Sequence, residues 1–139
     1  MKFLLDTNVI SEPKQKKPHK RVLEWIEAQD ESKIYLSVLT VGEIRKGITR
    51  LESGKKRAEL EEWLEKLRNR FARRLLPLSE RTFLVWGKMC GEFENKGTVR
   101  PALDSLLEAA ALEHDLILVT RNVKNFQNSQ VTILNPWED

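Results

Sequence analysis

The sequence predicts an α/β fold in which a parallel sheet is covered by helices on both faces, and three observations predict it. Short apolar runs alternate along the chain with longer amphipathic stretches. The first run, Phe3-Leu4-Leu5, stops abruptly at Asp6-Thr7-Asn8, as a strand buried on both faces does. A third stretch, Pro101 to about His114, is a helix apolar nearly all round, which fits only a buried position.

The elements follow in order. After Asn8 comes a brief helix or turn, then a basic linker, Lys14-Gln15-Lys16-Lys17-Pro18-His19-Lys20-Arg21, and a helix through Val22, Trp25 and Ile26. Ile34-Tyr35-Leu36-Ser37 is the second strand. Thr40 with Glu43 three residues on matches a capping box, and Val41, Ile44, Ile48 and Leu51 share one face of the helix it would open. Ser53-Gly54 closes that helix. From Lys55 to about Arg74, the spacing of Leu60, Trp63, Leu64, Leu67 and Phe71 predicts a long amphipathic helix. Leu75-Leu76-Pro77-Leu78 is a short strand candidate, and Ser79 begins a helix expected to point Phe83, Trp86 and Cys90 inward. Within it, Gly87 and Gly91 read as small residues that ease helix packing. The loop Gly97-Thr98-Val99-Arg100 leads into the apolar helix, and Leu116-Ile117-Leu118-Val119 and Val131-Thr132-Ile133-Leu134 complete the strands.

With 139 residues, 40% of them hydrophobic, the chain is expected to form a single domain, 1–139, large enough to bury a core. Its net charge of +3 excludes a polycation, while a sequence pI near 9.1 leaves a mild bias toward anionic partners. One cysteine, Cys90, allows no intrachain disulfide and no thiolate metal cluster, so a reducing, cytoplasmic setting is the expectation. No secretory signal or membrane-length apolar stretch is visible. Neither a repeat nor a low-complexity tract occurs.

Two local readings of the first motif stand side by side. In open α/β sheets, ligands gather beyond the carboxyl ends of strands, where a carboxylate beside neutral oxygen-bearing side chains suits Mg2+. Asp6, Thr7 and Asn8 are equally good helix caps. Glu43 divides similarly: the capping box with Thr40 explains it locally, yet Gly47 one turn on leaves room beside its carboxylate. Asp104 is sharper. A carboxylate in the first turn of so apolar a helix gains from the helix dipole, but needs pairing, hydrogen bonding or a metal.

Four segments then matter in their order: Leu5-Asp6-Thr7-Asn8-Val9-Ile10-Ser11-Glu12; Ser37-Val38-Leu39-Thr40-Val41-Gly42-Glu43-Ile44-Arg45-Lys46-Gly47; Pro101-Ala102-Leu103-Asp104-Ser105-Leu106; and Leu118-Val119-Thr120-Arg121-Asn122-Val123-Lys124-Asn125-Phe126. Together they resemble the PIN-domain ribonucleases, and within these the VapC-type toxins of toxin–antitoxin pairs, over nearly the whole chain. The resemblance implies a PIN-like parallel five-stranded sheet and an acidic pocket that binds Mg2+ or Mn2+ and hydrolyses RNA. It assigns Asp6, Glu43 and Asp104 as metal ligands and catalytic acids, with Asn8, Thr120, Asn122 and Asn125 as supporting polar groups. A homodimer and a co-encoded antitoxin are implied as well, and no membrane.

The chain departs from the family in two places. Relatives carry a fourth acid where Asn125 or, in other branches, Asn122 stands, and an amide brings no charge. Glu108, where relatives commonly have Ala, lies one turn beyond Asp104 and would restore lost negative charge; a Glu paired with solvent or with a basic neighbour is the alternative.

The chemistry has its own logic. Clustered carboxylates repel one another and raise their pKa values, and a divalent cation relieves this, lowers the pKa of water and polarises a phosphoryl oxygen. No nucleophilic side chain is required, which suits the surface positions expected of His19 and His114. Of two basic groups, Lys14, Lys16, Lys17, Lys20 and Arg21 are the candidates for RNA contact because they follow the Asp6 loop. Lys66, Arg70, Arg73 and Arg74 read as a solvated face. Trp25 and Tyr35 are available for base stacking or for the core. Two rival readings exist: a catalytically weakened member that binds RNA or antitoxin without cutting, and a phosphatase or phosphorelay domain with Asp6 as covalent nucleophile, against which Asn8 stands where haloacid-dehalogenase-type enzymes need a second Asp.

Overall fold

In the computed structural model, residues 1–138 are described. Five short strands form one parallel sheet: β1 (Phe3–Leu5), β2 (Ile34–Ser37), β3 (Leu75–Leu76), β4 (Ile117–Val119) and β5 (Ile133–Leu134), in the order β3-β2-β1-β4-β5. Six helices connect them: α1 (Thr7–Ile10), α2 (Lys20–Ala28), α3 (Val38–Thr49), α4 (Lys55–Arg70), α5 (Glu80–Asn95) and α6 (Ala102–Glu113).

Alternation along each strand divides the core in two. Phe3 and Leu5 of β1 join Ile34, Leu36 and Val119 against α1, α2, α3 and α4, in a cluster with Val9, Val22, Ile44 and Leu64. Leu4 and Leu118 point the other way, onto Leu107, Ala110 and Ala111 of α6 and onto Phe126. Successive strand side chains face opposite sides of a sheet, so three consecutive buried residues in β1 require helices on both faces. Helix α5 lies outermost on the α6 side, where Met89 and Cys90 meet Ala109.

The strand order places the site. From β1 the chain moves outward through β2 to β3, then returns across the sheet to β4 on the other flank of β1. The order therefore reverses at the β1–β4 boundary, where a crevice opens beyond the carboxyl ends of the strands. Asp6 and Thr120, the residues immediately after β1 and β4, are buried side by side at that boundary.

Several local expectations are corrected. Ser37, not Thr40, caps α3: its hydroxyl accepts from the Leu39 N–H at 3.1 Å, so the helix starts at Val38 and Thr40 is buried inside it. The Thr40–Glu43 capping box does not form, and the Thr40 Oγ1 is a buried oxygen without a hydrogen-bond partner among the described residues. Helix α4 ends at Arg70, and Ala72–Arg74 continue as a 3-10 turn. Phe83 is exposed, because Thr82 takes the buried register at the start of α5 through its capping box with Ser79. Gly87 and Gly91 face open space, so they ease no packing; the buried positions between them are Met89 and Cys90. Strand β3 stops at Leu76, ahead of Pro77, which lacks the N–H a ladder needs.

Candidate active site

Asp6 ends β1 and caps α1. Its backbone N–H donates to the Val119 carbonyl at 2.9 Å, which fixes β1 against β4, and its Oδ1 accepts from the Thr7 N–H at 2.7 Å. The other carboxylate oxygen, Oδ2, accepts from the Thr120 hydroxyl at 2.8 Å, a fully buried bond between residues 114 apart in sequence. Thr120 Oγ1 accepts in turn from the Asn122 N–H at 3.0 Å, so this hydroxyl is oriented toward Asp6. Of the two local readings, the cap is formed through Oδ1, while Oδ2 is engaged by the Thr120 hydroxyl.

Glu43 lies on α3 with an exposed side chain, and its Oε1 accepts from the Thr7 hydroxyl at 2.7 Å. Asp104, in the first turn of α6, is held by the Asn125 amide, which donates to its Oδ2 at 3.0 Å. Burial holds the Asp6 carboxyl above the ordinary aspartate range, the Thr120 and Thr7 hydrogen bonds oppose the shift, and the charges of Glu43 and Asp104 add to it. Glu43 and Asp104, from two other elements, thus lie near enough for their charges to act on Asp6, and each of the three carboxylates is held by a neutral hydroxyl or amide. Among the described residues, no three acidic, histidine or cysteine side chains close into a ready-made metal cage. The arrangement is an open, all-oxygen cluster.

Of the supporting residues, Asn8 lies with its amide 3.5 Å from Asp6 Oδ2 and accepts from the Arg121 N–H at 3.3 Å. Asn122 contributes its backbone, and Asn125 its side chain, as a donor. Glu108 is corrected: it is fully buried and paired with Arg100, whose Nε lies 3.1 Å from Oε1, so its charge is neutralised within the fold. The basic candidates separate. Lys14 sits over the Trp63 ring, Lys20 pairs with Glu24, and Arg21 reaches the Trp137 carbonyl, whereas Lys16 and Lys17 line a groove with Asn8. Lys66 is engaged by Glu62 and Arg70 by Glu31 on a solvated face, whereas Arg74 departs from that reading: its side chain is largely buried and donates to the Glu31 and Ile34 carbonyls. His19 and His114 are exposed, at a helix start and a helix end. Trp25 stands edge-on to Phe3 in the core.

Sequence reasoning missed Thr7 as the holder of Glu43, although it stands inside the first motif. It also missed Arg100, Arg121 and Trp137, for which no local periodicity gives a signal.

The PIN domain family model matches residues 3–128. The chain belongs to the PIN-domain family. Toxin FitB of Neisseria gonorrhoeae is 37% identical over 138 residues, covering 99% of both chains. VapC ribonuclease Y4jK of Sinorhizobium fredii is 34% identical over 137 residues and 98% of each chain. The crystal structure of FitAcB from Neisseria gonorrhoeae matches this PIN domain with a TM-score of 0.93 at 36% identity, over 99% of both chains. The first three motif segments and Thr120 all lie within the matched PIN region, as do Asn122 and Asn125.

Proposed function

We propose that this PIN-domain chain is a divalent-metal-dependent endoribonuclease, the toxin of a toxin–antitoxin pair. The observation that carries the reading is the meeting of Asp6, Glu43 and Asp104 at the switch point of the sheet, with the Asp6 carboxyl raised by burial and by the other two acids. Relatives bearing the names toxin and VapC ribonuclease support the assignment of substrate and role.

The donor set fits Mg2+ or Mn2+. It is made of carboxylate, hydroxyl and amide oxygens with no thiolate or imidazole, and Mg2+ takes one or two carboxylates while keeping several waters, so an open cluster suits it better than a closed cage. Asp6, Glu43 and Asp104 would hold the ion. A cation bound there supplies Lewis-acid polarisation of the phosphoryl oxygen and a lowered pKa for water. The chain's own residues do the positioning: Thr120 and Thr7 fix both oxygens of Asp6, the Thr7 hydroxyl holds one oxygen of Glu43, and Asn125 fixes one oxygen of Asp104. The partners of this reading are RNA, a cognate antitoxin and a second copy of the chain, in the cytoplasm.

A second reading, a weakened member that binds without cutting, is favoured by one observation. Asn125 gives the site a donor where a fourth carboxylate would give a charge. Incubating the purified protein with total RNA, with Mg2+ or Mn2+ and with excess EDTA, separates the two. Metal-dependent fragments with uniform 5′ ends are expected. Cleavage undiminished by EDTA overturns the metal role, and RNA bound but intact in both metals establishes the second reading.

A further inference from the structure

Beside the acidic crevice runs an open groove lined by Asn8, Gln15, Lys16, Lys17, Arg121 and Trp137. Asn8 belongs to both places: its amide lies against Asp6, and its carbonyl oxygen receives the Arg121 N–H. The inner wall of the groove is thus the outer wall of the site.

Three properties decide what the groove takes. First, its cations outnumber its carboxylates, Lys16, Lys17 and Arg121 against Glu12 alone. Among the described residues Lys16, Lys17 and Arg121 have no carboxylate partner, in contrast to Lys20, Lys66, Arg70 and Arg74, each engaged by a glutamate. Glu12, on the groove wall, is taken up by the His19 N–H at 2.8 Å. Second, an aromatic face stands among these cations: the Arg121 guanidinium lies 5.1 Å from the centre of the half-buried Trp137 ring. Third, that ring is held in place. The Trp137 N–H donates to the Asn135 side chain at 3.0 Å, its carbonyl accepts from Arg21 at 3.4 Å, and its inner part packs on the core.

Lys and Arg in excess over nearby carboxylates bind phosphates, and a fixed aromatic ring with an attached guanidinium plane stacks an unpaired base. We infer that this groove is the binding track for single-stranded RNA next to the scissile phosphate, with backbone phosphates on Lys16, Lys17 and Arg121 and one base on Trp137. A duplex, whose bases are stacked inside, has none to offer that ring. The inference rests on the ribonuclease reading and identifies the wall, and the side chains on it, along which the strand reaches the acids.

Binding is measured apart from cleavage, by fluorescence anisotropy of an end-labelled, unstructured RNA of about twelve nucleotides in excess EDTA. Compared with the parent, Lys16→Gln/Lys17→Gln and Arg121→Gln should weaken binding and flatten the plot of log affinity against log salt by about 0.7 for each phosphate no longer neutralised. Trp137→Leu should weaken it on the order of tenfold, while Trp137→Phe keeps most of the affinity. Arg121→Lys should keep the salt slope and lose affinity, because a guanidinium stacks and an ammonium does not. Lys88→Gln, the same charge loss in a different cleft on α5, should bind like the parent. Should Trp137→Leu fail to fold, the two Arg121 variants still decide the matter.

Affinity and slope unchanged in both the lysine pair and Arg121→Gln overturn the groove, including the case where those variants lose only antitoxin binding. Equal, Trp137-dependent binding of a duplex overturns the single-strand assignment. If the parent cleaves RNA in Mg2+ but no groove variant alters its KM, the groove fails and the ribonuclease reading stands. Variant-sensitive binding without any cleavage supports the groove and overturns the ribonuclease reading.

Discussion

Glu108, fully sealed from solvent, is gripped by Arg100, whose Nε and Nη2 lie 3.1 and 3.3 Å from its two carboxylate oxygens. Arg100 also stacks on Phe93, 4.1 Å from the ring centre, and donates to the Gln127 carbonyl. Glu108 stands one turn beyond Asp104 on α6, and Gln127 stands two residues beyond Asn125. The Arg100 fork therefore braces the same two segments that the Asp104–Asn125 bond joins at the site.

Removing one member strands a buried charge. Arg100→Ala or Glu108→Ala should each cost about 3–5 kcal/mol of stability, read as a fall in the urea midpoint at unchanged slope. Arg100→Met combined with Glu108→Leu should recover most of the loss, since an apolar pair of similar volume needs no desolvation. A loss below about 1 kcal/mol in both single variants would mean that the pair behaves as a surface bridge.

Asp6 predicts a pH dependence for the metal-free protein. Burial, with Glu43 and Asp104, raises its carboxyl above the ordinary value of 3.8, so the folded state binds a proton more tightly than the unfolded state does. Its contribution is most favourable below pH 3.8 and is lost as pH rises through the raised folded value. Asp6→Asn lacks this loss. Its melting temperature in EDTA should gain on the parent's between acid and neutral pH, while cleavage disappears; a constant difference across pH would refute the linkage.

Thr120→Val tests what orients that carboxylate. The variant removes the donor to Oδ2 and the acceptor of the Asn122 N–H, at about 1–3 kcal/mol for the group left unpaired. Without the hydroxyl the Asp6 carboxyl rises further, so the acid limb of the pH–rate profile should move to higher pH. Thr120→Ser should leave the limb in place. If both variants share the parent's profile, the hydroxyl has no electrostatic role.

Asn125→Asp exchanges a donor to Asp104 for a like charge. In EDTA the variant should melt below the parent, and the rise on adding Mg2+ should be larger, with faster cleavage at low Mg2+. Because Arg100 already neutralises Glu108, adding Glu108→Gln should change stability without changing this Mg2+ response, the two effects combining additively within about 0.5 kcal/mol. A gain that grows sharply in the Glu108→Gln background would return Glu108 to the metal site.

The sequence carried the local information. Apolar runs placed the five strands, 3.6-residue spacing placed the helices, and the breaks after Leu5 and before Ala102 exposed Asp6 and Asp104 as carboxylates out of keeping with their surroundings. Errors fell where two local choices compete at similar cost. Ser37 and Thr40 are both good caps, and the buried end of β2 decided for Ser37; Thr82 and Phe83 compete for one inward register, and the Ser79 box decided for Thr82.

Only the tertiary structure could decide the partners. Thr120 meets Asp6 across 114 positions, Arg121 meets Asn8 across 113, and Thr7 meets Glu43 across 36, because strand order sets β4 beside β1 and α3 over α1. Periodicity states which face of an element is buried, but not which other element covers it. The acids were therefore legible as residues, whereas their hydrogen-bond holders, the neutralisation of Glu108 and the groove of Arg121 and Trp137 follow from the closing of the sheet order around β1.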